Sequence, residues 1–297
     1  VEGVPKVLLN EKPIFLHGVL DQGYFCDGIF LPAVETEYKN DILRMKELGF
    51  NMLRKHIKIE PAIFYYYCDS LGMLVFQDMV NNGSYHFVRD TVLPTFGFLK
   101  KDDTKSRVSK KRKVIFEEHM KDTIDYLHNH PSIIGYTIFN EGWGQFESDA
   151  MYQKAKKLDN SRLYDSTSGW FTQKESDFDS RHIYFKTVDL PSAEKRPLLV
   201  SECGGYSFVV KNHVYPKYAN YGYGVCKTSK ELTDTIIAMY DKMILSGIKQ
   251  GVCGSVYTQL SDVEDETNGF YTYDRKVCKV EVSELKNLAN RIFNAFN

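Results

Sequence analysis

Two glutamates stand where a chain of this kind can do chemistry. Glu141 closes the run Ile133-Ile134-Gly135-Tyr136-Thr137-Ile138-Phe139-Asn140, and Glu202 closes Pro197-Leu198-Leu199-Val200-Ser201. Each run is β-branched, aliphatic and aromatic, and each is followed by glycines, Gly142 and Gly144 or Gly204 and Gly205. Such a run reads as a buried strand, and the glycines as the turn out of it. Continuous apolar character suits a strand covered on both faces, as in a parallel sheet. Two carboxylates flanking one bond are what glycoside cleavage needs: one protonates the leaving oxygen and the other attacks the anomeric carbon. An ester or amide hydrolase would show a nucleophilic Ser or Cys with a His base, and a metal hydrolase would show ligand-spaced His and Asp. Neither pattern is evident, so no metal and no cofactor is expected.

The elements that must position these groups alternate along the chain. Strands are expected at about 14–19, 51–56, 73–78, 133–141, 163–167, 182–185, 197–202 and 251–257, with a short hairpin at 7–13 before the first. Helices are expected at about 37–48, from Pro61 to near Gly72, and at 114–128, 147–158, 228–245 and 283–296. In the first, Tyr38, Ile42, Met45 and Leu48 fall on one face. In the third, Ile115, Met120, Ile124 and Leu127 are the expected inner residues. Thr228 and Glu231 open the fifth as a capping box. Eight strands alternating with helices or long loops give a single-domain α/β fold over residues 1–297, a (β/α)8 TIM barrel. Residues 170–196 are irregular, so some outer helices are expected to be short or missing there.

In that fold the C-terminal ends of the strands share one pocket. The groups expected there are His17, His56, Asp78, Asn140, Glu141, Asp165, His182, Tyr184, Glu202 and Tyr257. Strands four and seven lie across the barrel, so Glu141 and Glu202 can converge. Several of the others have a plainer role open to them. His56 and His182 can be packed histidines, Asp78 a partner for Arg54, and Cys203 a small buried filler. The acidic run Asp262, Glu264, Asp265 and Glu266 follows strand eight on the pocket side, as a solvated loop or as a contact for sugar hydroxyls or a cation.

The bulk numbers exclude some classes. With 297 residues and a net charge of −1, no global field favours nucleic acid or an anionic membrane. No apolar run approaches the ~20 residues needed to span a bilayer. Lys100 to Lys113 holds eight basic and two acidic residues, which reads as a solvated insertion, with an anion or nucleic-acid patch as the alternative. Six scattered cysteines with no CxxC spacing favour a reduced, cytoplasmic protein. Val1 reads as an internal start, with no signal peptide in view.

The segment Asn129-His130-Pro131-Ser132 through Asn140-Glu141 resembles the acid/base signature of glycoside hydrolase family 2, the family of β-galactosidases, β-glucuronidases and β-mannosidases. Tyr136, Thr137 and Phe139 replace its usual Trp, Ser and Gly. Pro197 to Gly204 resembles the family's nucleophile strand, with Cys203 where Tyr is common, and Asn51 to Gly72 resembles a further signature containing Arg54 and Asp69. The resemblance implies a retaining, exo-acting β-glycosidase, β-galactosidase-like, with β-glucuronidase or β-mannosidase as alternatives. A non-catalytic carbohydrate-binding barrel is the rival of another class, although binding alone does not need both glutamates. The resemblance makes Glu141 the general acid/base and Glu202 the nucleophile. It has Asn140 hold the sugar 2-hydroxyl and Tyr184 hydrogen-bond the nucleophile, with His56, Asp78, His182 and Tyr257 lining subsites. The family's Asn-x-Lys clamp for a uronate has no match in Glu266-Thr267-Asn268-Gly269. The jelly-roll and immunoglobulin-like domains that precede the barrel in the family are absent from this chain and are expected to pack on it in a longer protein.

Overall fold

The computed structural model describes residues 3–81, 83, 86, 88, 89, 93–95, 98, 101–215 and 222–297. Val1 and Lys100, at the start of the chain and of the basic stretch, lie outside them. Eight parallel strands form the barrel wall: β1 (Leu16–Asp21), β2 (Met52–Lys55), β3 (Leu74–Asp78), β4 (Ile133–Asn140), β5 (Leu163–Ser168), β6 (Asp179–Ile183), β7 (Leu198–Gly204) and β8 (Val252–Thr258). The hydrogen-bonded order is β5-β4-β3-β2-β1-β8-β7-β6. A small antiparallel hairpin, Leu8–Leu9 with Lys12–Pro13, precedes β1. The barrel is nearly closed, with its seam between β5 and β6. Side chains stitch that seam: Ser180 Oγ donates to Asp165 Oδ1 at 2.9 Å and to the Thr167 carbonyl at 3.2 Å.

The outer layer comprises α1 (Thr36–Glu47), α2 (Ala62–Leu71), α3 (Lys110–Leu127), α4 (Ser148–Leu158), α5 (Ser229–Met239, continued by a π turn over Tyr240–Leu245) and α6 (Val282–Phe296). Among the described residues no helix stands between β5 and β6 or between β6 and β7. Gly49 follows α1 at φ +97 and Gly72 caps α2 at φ +66, backbone positions that favour glycine. Thr228 Oγ1 accepts the Glu231 amide at the start of α5, and the Glu231 carboxylate reaches back to the Lys227 amide. The helix α3 starts at Lys110, four residues earlier than expected, and the Ser109 hydroxyl caps it. Phe116 is buried and Ile115 is exposed, which corrects the inner face expected from periodicity alone.

Two apolar clusters follow from the period-two alternation of strand side chains. Leu16, Leu20, Met52, Phe76, Leu199 and Val256 point inward and fill the lower barrel. Val19, Leu53, Val75 and Val200 point outward, into the layer between sheet and helices. This parity corrects two expectations. His17, between Leu16 and Gly18, points outward and stacks on Phe50 at 4.4 Å. Tyr257, next to inward Val256, also points outward and stacks on Phe270 at 4.5 Å. Neither reaches the pocket. The strand β6 also differs: it spans Asp179–Ile183, so Tyr184 and Phe185 lie past its end.

Strict alternation from inward Leu199 would send Glu202 outward. A β-bulge prevents this. Between Val200 and Glu202 the chain advances two residues while β6 advances one, from Arg181 to His182. Against β8 the same stretch runs one residue long again. The extra residue resets the phase, so Glu202 faces the barrel mouth and Cys203 joins the outer core.

Candidate active site

At the mouth, Glu141 and Glu202 converge. One carboxylate oxygen of each, and one ring nitrogen of His182, all lie within 4.8 Å of one another. Glu141 leaves the end of β4 in a left-handed conformation, φ +53, and its amide donates to the Ser168 carbonyl on β5 at 2.9 Å. Trp170 Nε1 holds the Glu141 carbonyl at 3.0 Å. The backbone around this carboxylate is therefore fixed by two neighbours.

Glu202 is buried and held by donors. Arg54 Nη1 donates to its Oε1 at 3.0 Å, and the Tyr184 hydroxyl donates to its Oε2 at 2.5 Å. Burial, then the charge of Glu202, raise the Tyr184 pKa well above that of a free phenol, so Tyr184 keeps its proton. Its hydroxyl also meets Thr258 Oγ1 at 2.9 Å, and its ring stacks on Tyr223 at 3.9 Å.

Arg54 is the hub. It lies inward on β2, two residues beyond Met52 and 1% exposed. Its Nε donates to Asp78 Oδ1 at 3.0 Å, its Nη1 to the Ser201 carbonyl at 2.9 Å, and its Nη2 to Asn140 Oδ1 at 2.8 Å. The last bond turns the Asn140 amide so that Nδ2 is left to donate into the cavity. Asp78 is completed by His56 Nδ1 at 2.6 Å. Burial pushes Asp78 up, but the Arg54 charge and the His56 hydrogen bond outweigh it and hold it at about 2. The structure thus places Asp78 behind the wall, as a support for Arg54 and His56. The sequence offers Arg54 as part of a signature and as a partner for Asp78, and that pairing is present; its further contacts follow from the parity it shares with Met52 and His56.

His182 lies between the two glutamates with its side chain fully buried. Its Nδ1 is 2.9 Å from Glu141 Oε1 and 3.4 Å from Glu202 Oε2. Its Nε2 faces Ser168 Oγ at 3.0 Å and Arg54 Nη1 at 3.4 Å. Burial lowers its pKa to about 4, against the pull of Glu202. A neutral ring that accepts from Arg54 through Nε2 carries its proton on Nδ1, aimed at Glu141. Asp165 lies inward on β5 beneath these groups, and burial raises it to about 6.

A cavity of about 690 Å³ holds both carboxylates, and His56, Asn140, Tyr184 and Glu266 are in its wall. A second cavity, about 890 Å³, shares Glu141 and Tyr184 and runs along β6 past Trp170 and Arg181, where no helix covers the strand. Glu202 lines only the first, which is where the chemistry can occur. The trio Glu141, His182 and Glu202 has the composition of a metal site. An arginine 3.0 Å from Glu202 makes a cation there electrostatically unfavourable. Of the acidic run after β8, Glu264 and Asp265 are exposed, Asp262 is buried against Lys279 at 2.6 Å, and Glu266 reaches the cavity.

A TIM barrel with two opposed carboxylates at the C-terminal mouth, one of them clamped by arginine and tyrosine, has the architecture of a glycoside hydrolase. The chain belongs to glycosyl hydrolase family 2: the description "Glycosyl hydrolases family 2, TIM barrel domain" matches residues 2–204. It is similar to a β-galactosidase of Leuconostoc mesenteroides, 28% identical over 160 residues that cover 52% of this chain and 13% of that protein. A β-galactosidase of Pectobacterium atrosepticum is 25% identical over 215 residues, 66% of this chain and 19% of that protein. The chain therefore spans less than a fifth of the length of these relatives. Among solved structures, a family 2 β-galacturonidase from Eisenbergiella tayi bound to galacturonate superposes with a TM-score of 0.66 at 17% identity, covering 96% of this chain and 53% of that one. A β-glucuronidase from an uncultured Clostridium species superposes with a TM-score of 0.68 at 14% identity, covering 96% and 52%. At such identities the likeness is one of fold.

Proposed function

We propose that this chain is the catalytic barrel of a retaining, exo-acting β-glycosidase that removes terminal β-linked sugars and is β-galactosidase-like in specificity. The observation that carries this is the separation of the two carboxylates, with one oxygen of each within 4.8 Å of the other. Retaining enzymes hold the pair about 5–5.5 Å apart, whereas inverting ones leave roughly 6.5–9.5 Å for a water. Glu202, kept by Arg54 and Tyr184 as an oriented carboxylate, attacks the anomeric carbon. Glu141 gives its proton to the leaving oxygen, then takes one from the water that hydrolyses the glycosyl-enzyme. Asn140 Nδ2 donates to the sugar 2-hydroxyl, a bond that tightens in the transition state. His56 lines the sugar site. His182 orients Glu141 rather than touching sugar. The galactosidase preference is supported by the two relatives that carry that name, each over part of the chain.

The test is a panel of p-nitrophenyl β-galactoside, glucuronide, mannoside and glucoside on the intact protein, with the first-formed sugar anomer followed by proton NMR. Release is expected fastest from the galactoside, and the β anomer should appear first. No release from any substrate, or the α anomer first, would sink the proposal.

A further inference from the structure

The sugar cavity carries an acidic residue that the two-glutamate chemistry does not use. Glu266 follows β8 and lies largely out of water. Its Oε2 accepts from Gln22 Nε2 at 3.0 Å and from Gln259 Nε2 at 2.6 Å. Among the described residues its Oε1 has no hydrogen-bond partner. Gln22 also donates to Gln259 Oε1 at 2.9 Å, and Gln259 to Asn268 Oδ1 at 2.8 Å. The amides therefore form a connected wall that fixes the carboxylate. Asn268, 1% exposed and lining the same cavity, has its Nδ2 buried with no partner. A buried amide without a partner costs free energy unless a ligand supplies an acceptor. The wall thus offers one spare carboxylate oxygen and one spare amide donor, the pair that a sugar hydroxyl satisfies by donating to one and accepting from the other.

The same wall is hostile to an anion. The one lysine or arginine among the described residues lining this cavity is Lys58, and it is engaged by Glu60 at 2.9 Å and by the carbonyls of Gly23 and Phe30. Among the described residues no lysine or arginine of the cavity wall is left to pair with a sugar carboxylate, and Glu266 faces it with like charge. Burial raises the Glu266 pKa, with Glu202 adding to it, while the two glutamines and His56 pull the other way.

We propose that Glu266, fixed by Gln22 and Gln259 and assisted by Asn268, is the specificity-determining residue of the site, selecting a neutral hexopyranoside by its hydroxyls and rejecting uronates. The proposal rests on the glycosidase reading for the identity of the cavity, and its test reads binding as well as turnover. Galactose and galacturonate are titrated calorimetrically into the intact protein and its Glu266→Gln and Glu266→Lys variants, alongside hydrolysis of their p-nitrophenyl β-glycosides. Galactose is expected to bind the unsubstituted protein at least roughly tenfold more tightly, since a like charge in the wall opposes the uronate. Glu266→Gln should weaken galactose by about tenfold and bring the two sugars to near parity, the loss of one charge-assisted hydrogen bond. Glu266→Lys should reverse the order. Equal binding of both sugars to the unsubstituted protein, binding of neither, or a preference unmoved in both variants would overturn it. Absent hydrolysis with the binding preference intact would count against the catalytic reading alone.

Discussion

Arg54 and Lys55 are consecutive on β2, both are buried, and both sit in ion networks, yet alternation sends them to opposite sides of the barrel wall. Arg54 points in and joins Asp78, Glu202 and Asn140 at the pocket. Lys55 points out, where it bridges Asp21 at 3.0 Å and Glu60 at 2.5 Å, with Lys58 beside Glu60 at 2.9 Å. The inner network is asymmetric. It ends on a carboxylate that faces the cavity, so its geometry is available to a substrate. In the outer network Lys55, Asp21 and Glu60 pair with one another away from the carboxylate pair, and they hold β1, β2 and the turn into α2 together. Burial and charge pairing alone do not mark a functional residue; the direction of the side chain does.

The largest effect should come from the open end of the inner network. Glu202→Gln is expected to abolish turnover of a natural, unactivated substrate while the protein still folds, because the amide keeps the shape and can accept from Arg54. Glu141→Ala should lose turnover of unactivated substrates but spare the glycosylation step for aryl sugars with activated leaving groups, which need no proton. Pre-steady-state release of p-nitrophenol separates the two. Full activity of either variant on an unactivated substrate would break the contrast at its functional side.

Next comes a matched pair. Arg54→Met strands two buried carboxylates, Asp78 and Glu202, and should cost about 3–5 kcal/mol of stability together with most of the activity. Lys55→Met strands mainly Asp21, since Lys58 still serves Glu60, so its cost should fall toward the lower end of that ~3–5 kcal/mol range. Its kcat per folded molecule should be unchanged. Denaturant midpoints and kcat measured on the same samples give both numbers. If Lys55→Met lowers kcat as Arg54→Met does, the two faces of β2 are not functionally separate.

How far the sequence carried this can be judged at the same residues. Glu141, Asn140 and Glu202 were legible because each ends an apolar run followed by glycines. His17 and Tyr257 were misplaced because they were gathered by nearness to strand ends, whereas the alternation Leu16-His17-Gly18 and Val256-Tyr257-Thr258 already turned them outward. Glu202 shows the limit of that correction, since only the bulge, invisible in composition, brings it in. Arg54 is legible as a motif residue and as a partner for Asp78, but its bonds to Glu202, Asn140 and the Ser201 carbonyl need the strands assembled. The strand β6 was placed three residues late because Asp179-Ser180-Arg181 is polar, and it is polar because no helix covers that face. Glu266 hid in an acidic run that reads as solvent-exposed, and two of its members are.

A comparison of two histidines sharpens the inner-outer distinction through pH. His17 is outward and walled by Phe50, Tyr240 and Phe293, with no hydrogen bond to either ring nitrogen, and burial lowers its pKa to about 3. His182 is inward and hydrogen-bonded, and burial lowers its pKa to about 4. Both are neutral when folded, while the unfolded chain protonates them near 6.5. The unfolded state then binds more protons below about 6.5, so each contributes stability that is full above that pH and is lost as pH falls. Asp165 has the opposite sign. Its folded pKa is raised to about 6, so the native state holds the extra proton and its contribution is lost as pH rises from about 4 to 6. His17→Phe should therefore lower the slope of stability against pH between about 4 and 6 by one proton, roughly 1.4 kcal/mol per pH unit, and leave kcat intact. Asp165→Asn should raise that slope by as much. Chemical denaturation at several pH values measures both; a slope unmoved by His17→Phe means that this ring is charged or absent from the sealed layer.

The smallest effect expected is at the seam. Elsewhere the wall is closed by backbone ladders, but β5 and β6 depend on side chains, with Ser180 Oγ reaching both Asp165 and the Thr167 carbonyl. Ser180→Ala removes those two bonds and no ladder, so it should cost only about 1–2 kcal/mol. The loss should be local, because the strands on either side keep their other neighbours. Amide exchange in β5 and β6 should speed up, while β1 and β2, each laddered on both sides, keep their protection. His182 is two residues along from Ser180 on the same inward face, so a loosened seam also lets it drift from Glu141. Turnover of unactivated substrates should then fall a few-fold, more than that of activated aryl sugars, which bypass the proton. Equal losses on the two kinds of substrate would mean that the seam supports the whole pocket rather than the acid/base arm of it.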